Sequence, residues 1–220
     1  MSVYNVSKID NIGNITAEWG RLPWNRIESL KLNNYMGNSP LYFPKVEAKL
    51  GYGEETINII FRVQDKYVIS INSEYQGKVW HDSCVEFFFF PDETYDIGYF
   101  NLEMNCGGTM LFQFQKERGK GLRKITKDDA KLIISAHSLP EIVKPEIRKE
   151  IVWTVEFALP FSVIKKYSNF KKPAKGEKWR ANFYKCADLS SNPHWLTWAP
   201  VDRRTPDFHR PESFGILEFG

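Results

Sequence analysis

The chain has 220 residues, enough to bury a sizeable core as one large all-β domain. Hydrophobic residues make up 42% and charged residues 26%, a soluble globular balance, and the formal net charge of +3 is scattered, without the concentrated basic stripe that nucleic-acid binding needs. Three cysteines (Cys84, Cys106 and Cys186) with no CxxC or Cys/His spacing argue against a disulfide framework and structural zinc and read as buried, reduced thiols, and no apolar run approaches the roughly 20 residues of a membrane span.

Residues 1 to about 40 read as an irregular segment packed on the domain, with polar turns over Asn11–Gly13 and Gly37–Pro40. The first residues carry no basic and apolar leader pattern, so the chain as given reads as cytoplasmic; a periplasmic or surface location follows if a leader was removed. Val46–Tyr52 and Thr56–Val63 alternate around Gly53–Glu55, the pattern of a hairpin, and Tyr67–Ile71 alternates as well. Cys84–Phe90 is apolar except for Glu86, which predicts a strand covered on both faces and stopped by Pro91–Thr94. Tyr99–Asn105 and Thr109–Gln115 are strands joined by a turn at Cys106–Gly108. Gly119–Asp129 reads as a loop, Lys131–His137 and Ile151–Leu159 as strands, and Pro160–Tyr167 as the single short helix. Trp179–Cys186, Trp195–Trp198 and Phe214–Phe219 complete the strands. Ten or more strands without βαβ alternation predict a two-sheet antiparallel β-sandwich formed by residues 1–220 as a single domain.

The polar residues inside strands carry the chemical information. Asn101, Glu103 and Asn105 alternate with Phe100, Leu102 and Met104, so they share one face; Arg180, Asn182 and Tyr184 share a face in the same way. Such a face offers paired donors and acceptors to sugar hydroxyls, or else forms a satisfied internal network, for instance a Glu103–Arg180 pair. Loop aromatics stand nearby: Trp80 before the Cys84–Phe90 strand, Trp195 after Pro193–His194, and Phe208 between Pro206 and Pro211. A pyranose has an apolar C–H face that a ring can cover, and a hydroxylated rim for the amides and carboxylates. The two prolines bracket Phe208, His209 and Arg210 as a fixed presentation of one ring and two polar tips. Two alternatives use other residues. A glycoside hydrolase would employ Glu86 and Glu103 as paired carboxylates. A haem-binding sandwich would draw on Met104, Met110 and His209. No HxxxH, HxH or EF-hand pattern marks a metal site.

"VWHDSCVEFFF", "YFNLEMNCGG", "WRANFYKCADLS", "PHWLTWAPV" and "PDFHRPESFGILEF" occur in an order that resembles the family 9 carbohydrate-binding modules, across roughly residues 79 to 219. The resemblance implies a β-sandwich that binds an oligo- or polysaccharide without cleaving it, beside glycan-degrading enzymes, with the sugar held between two rings. By the same resemblance Trp80 is the first ring and Glu86 the carboxylate six residues on, while Phe208 stands where the second ring, normally Trp, falls. Asn101 takes the place of an arginine and Lys185 that of a glutamine, and Trp195 is a second candidate platform. Some members of the family carry structural calcium, whose ligands this sequence does not place.

Overall fold

In the computed structural model, which describes residues 1–10, 12–93 and 98–220, the alternating runs become strands of two sheets that share one edge strand. The Asn11–Gly13 turn begins, and the Pro91–Thr94 stop ends, outside the described residues. The chain opens with β1 (Val3–Lys8), β2 (Leu30–Lys31) and β3 (Asn34–Tyr35). The hairpin follows as β4 (Lys45–Tyr52) and β5 (Thr56–Asp65), then β6 (Val68–Ser70), β7 (Cys84–Phe90), β8 (Tyr99–Asn105), β9 (Met110–Gln115) and β10 (Arg123–Lys124). Helix α1 (Lys127–Ala130) leads to β11 (Ile134–His137), β12 (Val143–Ile147) and β13 (Ile151–Pro160). Helix α2 (Phe161–Tyr167) leads to β14 (Lys178–Cys186), β15 (Trp195–Thr197) and β16 (Gly215–Phe219).

The front sheet runs β10-β9-β8-β7-β14-β16-β1 and the back sheet β1-β4-β5-β13-β11, with β2 beside β4, β15 beside β14 and β3 beside β15; β12 and β6 form a separate pair. Strand β1 belongs to both sheets. Its Val3–Val6 stretch pairs parallel with Ile216–Phe219, and Ser7 and Lys8 pair parallel with Gly51 and Tyr52. The fold is thus an all-β sandwich, but its seam is parallel where antiparallel pairing was expected throughout. The segment before residue 40, expected to be irregular, supplies three strands. The stretch read as the loop Gly119–Asp129 holds β10 and the start of α1, so there are two α-helices among the described residues instead of one. The tight turn between β8 and β9 needs its glycine, since Gly108 has φ +86°.

Period-two alternation puts Val85, Phe87 and Phe89 of β7, Phe100, Leu102 and Met104 of β8, and Trp179, Ala181 and Phe183 of β14 into the core between the sheets. The rings stack in sequence there: Phe87 lies 4.6 Å from Phe89 and 5.0 Å from Phe183, and Phe89 lies 5.5 Å from Trp179. All three cysteines are buried free thiols. Met104 and Met110 lie in this core, whereas His209 bonds Tyr99 on the opposite face of the front sheet. The residues of the haem alternative are therefore split by the sheet itself.

On the outer face of the back sheet, the N-terminal segment is fastened by one side chain. Glu156 of β13 is fully buried. Its Oε2 accepts from the backbone N–H of Thr16 (3.0 Å) and Ala17 (2.7 Å), and its Oε1 from Arg21 (2.5 Å) and Trp24 Nε1 (2.8 Å). The sequence alone gave no sign of this anchor.

Candidate functional site

The outer face of the front sheet is where the polar strand residues collect. Strand register makes rows across it: Tyr184, Glu86, Glu103 and Leu111 in one, and Asn182, Phe88, Asn101 and Gln113 in the next. Residues directly opposite on antiparallel strands have Cβ atoms about 5 Å apart, so Glu86 and Glu103 are lateral neighbours. Loops close over this floor and leave a cavity of about 300 Å³ lined by both glutamates, Asn101 and Gln113 below and by Trp80, Trp195 and Phe208 above.

Each wall has its own support. Trp80 sits in the 3-10 turn Val79–His81 just before β7 and is half-buried. The indole N–H of Trp195 donates to Asp188 Oδ1 at 2.7 Å, which fixes the ring at the start of β15. Phe208 stacks on Tyr184 with centroids 4.2 Å apart and planes within 12°, and the Tyr184 hydroxyl donates to the Phe208 carbonyl at 3.0 Å. Phe208 is left only 8% exposed, with one face spent on Tyr184. Asp207 accepts from the His209 N–H at 3.1 Å and pairs with Arg210 at 2.5 Å and Arg118 at 3.1 Å. Arg210 therefore braces the loop and is not among the cavity's lining residues. His209 lines the cavity, and its Nδ1 receives the Tyr99 hydroxyl (2.8 Å) and Gln115 Nε2 (3.3 Å). Two donors on Nδ1 leave the proton on Nε2. Burial, then the nearby Arg118 charge, pushes the imidazole down to about 4.

The floor is short of compensating charge. Asn101 Nδ2 donates to Glu103 Oε1 at 3.0 Å, and Gln115 Nε2 donates to Asn101 Oδ1 at 3.0 Å. Glu86 Oε1 accepts from the Cys186 thiol at 3.1 Å. Glu103 does not meet Arg180, whose guanidinium reaches the Phe214 carbonyl at 3.4 Å instead. Burial pushes Glu86 well above the usual carboxylate range, with Cys186 and Glu103 adding to it, and burial lifts Glu103 to about 7. Between the ordinary value of 4.5 and about 7, the folded state holds a proton on Glu103 that the unfolded chain has lost, so this group's contribution to stability falls as pH rises across that window. Buried His194 and His209, with depressed values, act in the opposite sense. The expected signature is accordingly a difference: relative to wild type, Glu103→Gln becomes more stable from about pH 4.5 to 7. Denaturant melts of the two proteins at several pH values check it; parallel curves would count against a buried, raised carboxyl.

Among the expected site residues, Trp80, Glu86, Asn101, Trp195, Phe208 and His209 meet at this cavity. Lys185 does not. It alternates with Tyr184 and Cys186, so it points through the sheet into the sandwich, where it is 0% exposed. There its ammonium donates to the Cys186 carbonyl (2.8 Å) and His194 Nε2 (2.6 Å) and faces Asp65 at 3.5 Å. Sequence reasoning missed Arg118, Asp188 and Asp207. Gln113 could have been found, because it alternates with Phe112 and Phe114 on β9.

One group of metal-capable side chains occurs among the described residues, Cys84, Glu86 and Cys186. Two thiols and one carboxylate are a soft donor set, whereas calcium takes six to eight oxygens. These residues do not fit the structural calcium that the family resemblance allows.

The model of carbohydrate-binding family 9 matches residues 14–219. Among solved structures, a protein of Bacteroides uniformis ATCC 8492 assigned to carbohydrate binding is 28% identical, with a TM-score of 0.87 over 99% of each chain. A family 9 module from Caldicellulosiruptor kristjanssonii, solved with glucose, is 15% identical with a TM-score of 0.68 over 100% of this chain and 96% of its own. The same organism's module solved with cellotriose is also 15% identical, with a TM-score of 0.66 over 99% of this chain and 93% of its own. At that identity the likeness shows the fold. No curated protein matches the sequence.

Proposed function

Because the chain belongs to carbohydrate-binding family 9, we propose that the cavity on its front sheet is a saccharide-binding pocket of a non-catalytic protein. The observation that carries this reading is the convergence of Trp80, Trp195 and Phe208 over a floor of Glu86, Asn101 and Glu103 in one cavity of about 300 Å³. That is room for about one sugar ring, with apolar walls for its C–H face and convergent polar groups for its hydroxyls, the usual composition of a small-ligand site. Glu86, Asn101, Glu103 and Gln113 bond the hydroxyls, and Trp80 and Trp195 flank the ring. Phe208, backed by Tyr184, closes the third side, and His209 lies beside it. Lys185 and Arg210 act behind the pocket: the first inside the sandwich, the second on Asp207.

The non-catalytic part of the reading rests on the family. Glu86 and Glu103 lie side by side on neighbouring strands of one floor, a closeness that the carboxyl pair of a retaining glycosidase also has. Aryl-glycoside assays test the non-catalytic part directly; turnover that disappears in Glu86→Gln would reverse it. The C. kristjanssonii module holds glucose and cellotriose, so glucose and cello-oligosaccharides are the first titrants for calorimetry, followed by xylo-, manno- and host-type glycans. Binding to at least one class is expected, and silence across all of them would sink the proposal. Trp80→Ala is expected to weaken the best ligand by about 1 kcal/mol or more, the usual consequence of truncating a stacking ring. An unchanged affinity would remove Trp80 from the pocket.

A further inference from the structure

Carboxyl groups sunk in a ligand cavity are ordinarily matched by an arginine or lysine, and this floor has none. Glu86 and Glu103 are 2% and 5% exposed. Each uses one oxygen in the protein, Glu86 Oε1 on the Cys186 thiol and Glu103 Oε1 on Asn101. Their Oε2 atoms have no hydrogen-bond partner among the described residues, and both side chains line the cavity. The cationic side chain lining the cavity among those residues is Arg118, which is spent on Asp207 at 3.1 Å. Of the other ionisable groups around the pair, Cys84 from β7, Tyr184 and Cys186 from β14, Asp188 from the loop after it and neutral His209 at the rim carry no positive charge, and the Lys185 ammonium, whose field reaches Cys84, Cys186 and Asp188, lies on the far side of the sheet against Asp65.

We infer that the pocket selects a saccharide bearing a free ammonium group, an amino sugar, with the cation seated between Glu86 and Glu103 and the ring against Trp80 and Trp195. This rests on the saccharide reading above. An ammonium has three donors and no acceptor, so it donates to both unused Oε2 atoms and brings the positive charge that lets one carboxyl ionise. A neutral hydroxyl offers one donor and no charge. The indoles add to the preference, because aromatic faces attract cations. N-acetylation would remove the charge and put an apolar methyl on the acidic floor. Burial raises both carboxyls, so settling an ammonium between them ionises a carboxyl and releases its proton to the buffer.

The test is calorimetry at about pH 6, where the sugar amine is protonated, with glucose, N-acetylglucosamine, glucosamine and galactosamine. Glucosamine oligomers are compared with cello-oligosaccharides of equal length, and each titration is repeated in two buffers of different ionisation enthalpy. Amino sugars are expected to bind about tenfold or more tightly than their neutral or acetylated counterparts, the usual gain of a charged over a neutral hydrogen bond. Their binding alone should release protons. Glu103→Gln should reduce both the preference and the proton release; if that variant does not fold, the wild-type proton release decides. Neutral sugars binding as well as or better than amino sugars overturns the inference and leaves the saccharide reading standing. Preference that appears only with added calcium or magnesium also overturns it, since a metal ion would then occupy the carboxylates. Failure of every sugar removes both.

Discussion

Glu156→Ala is expected to lower the free energy of unfolding by about 3–5 kcal/mol, the size of effect seen when one member of a buried, charged network is removed. Against a typical total of about 5–15 kcal/mol this is a large fraction. Four donors lose their acceptor together: the Thr16 and Ala17 backbone N–H groups, the Arg21 guanidinium and the Trp24 indole. Trp24 is fully buried, and an indole N–H stranded inside costs more than one released to water. Arg21, bonded also to the Ile12 and Leu22 carbonyls, would hold the loop only in part. Glu156→Gln keeps one acceptor oxygen and should lose less. Urea denaturation measures the first effect, and limited proteolysis across residues 12–24 reports whether the strap loosens before the sandwich does. A loss below about 1 kcal/mol for Glu156→Ala would mean that water replaces the carboxylate without cost.

The second large effect belongs to Lys185, and it separates stability from recognition. Lys185→Met keeps the volume and removes the charge, leaving Asp65 without a cation inside the sandwich. Asp65 is itself 0% exposed, and its Oδ2 has no hydrogen-bond partner among the described residues, so Lys185 at 3.5 Å is its compensating charge. Burial, the larger of the two causes that hold the His194 imidazole well below its ordinary range, remains in the variant and opposes its taking over the charge. Its Nδ1 donates to the Asn192 carbonyl at 2.7 Å, which leaves Nε2 as the acceptor for Lys185. The expected loss is again about 3–5 kcal/mol, with sugar affinity per folded molecule retained. The double change Lys185→Met with Asp65→Asn should recover much of it, because the buried charge disappears together with its partner. Weakened sugar binding by the folded variant, with unchanged stability, would return Lys185 to the recognition face.

Lys185 also shows how far the sequence could be read. Family resemblance drew it toward the ligand, while simple alternation with Tyr184 and Cys186 pointed it inward, and alternation prevailed because a strand cannot rotate one side chain across its own sheet. The same periodicity placed Asn101, Glu103 and Asn105 on one face, and an unbroken apolar run made Cys84–Phe90 a strand covered on both faces. Where that signal was weak, the reading failed for physical reasons. Strand β1 is six residues, and its partners Ile216–Phe219 lie at the far end of the sequence, so no local pattern announces their pairing. Strand β12 holds Pro145, a residue that argues against a strand, and it is tolerated because the strand pairs only with β6. Helix α1 is four residues long, yet it carried a start signal: the Thr126 side chain caps the Asp129 N–H at 3.2 Å and bonds its carboxylate at 2.6 Å. In the pocket, the rings and the first carboxylate were legible from motif order, whereas Arg118, Asp188 and Asp207 come from loops whose convergence depends on tertiary closure.

The parallel seam has a consequence for the order in which the protein becomes competent during synthesis. Strand β1 (Val3–Lys8) is made long before its partner β16 (Gly215–Phe219). The back-sheet hairpin β4–β5 joins strands adjacent in sequence and can form early, but the front sheet lacks an interior strand until β16 slides between β14 and β1. The loop that carries Phe208 feeds directly into that strand. In the interval between the two, the backbone edge of β1 that β16 covers stays unpaired, and β14 joins it unpaired on that side once made, the condition under which chaperone capture and misassembly compete with folding. The pocket's third wall is made after its floor, so the cavity closes only once the Phe208 loop has followed β7, β8 and β14.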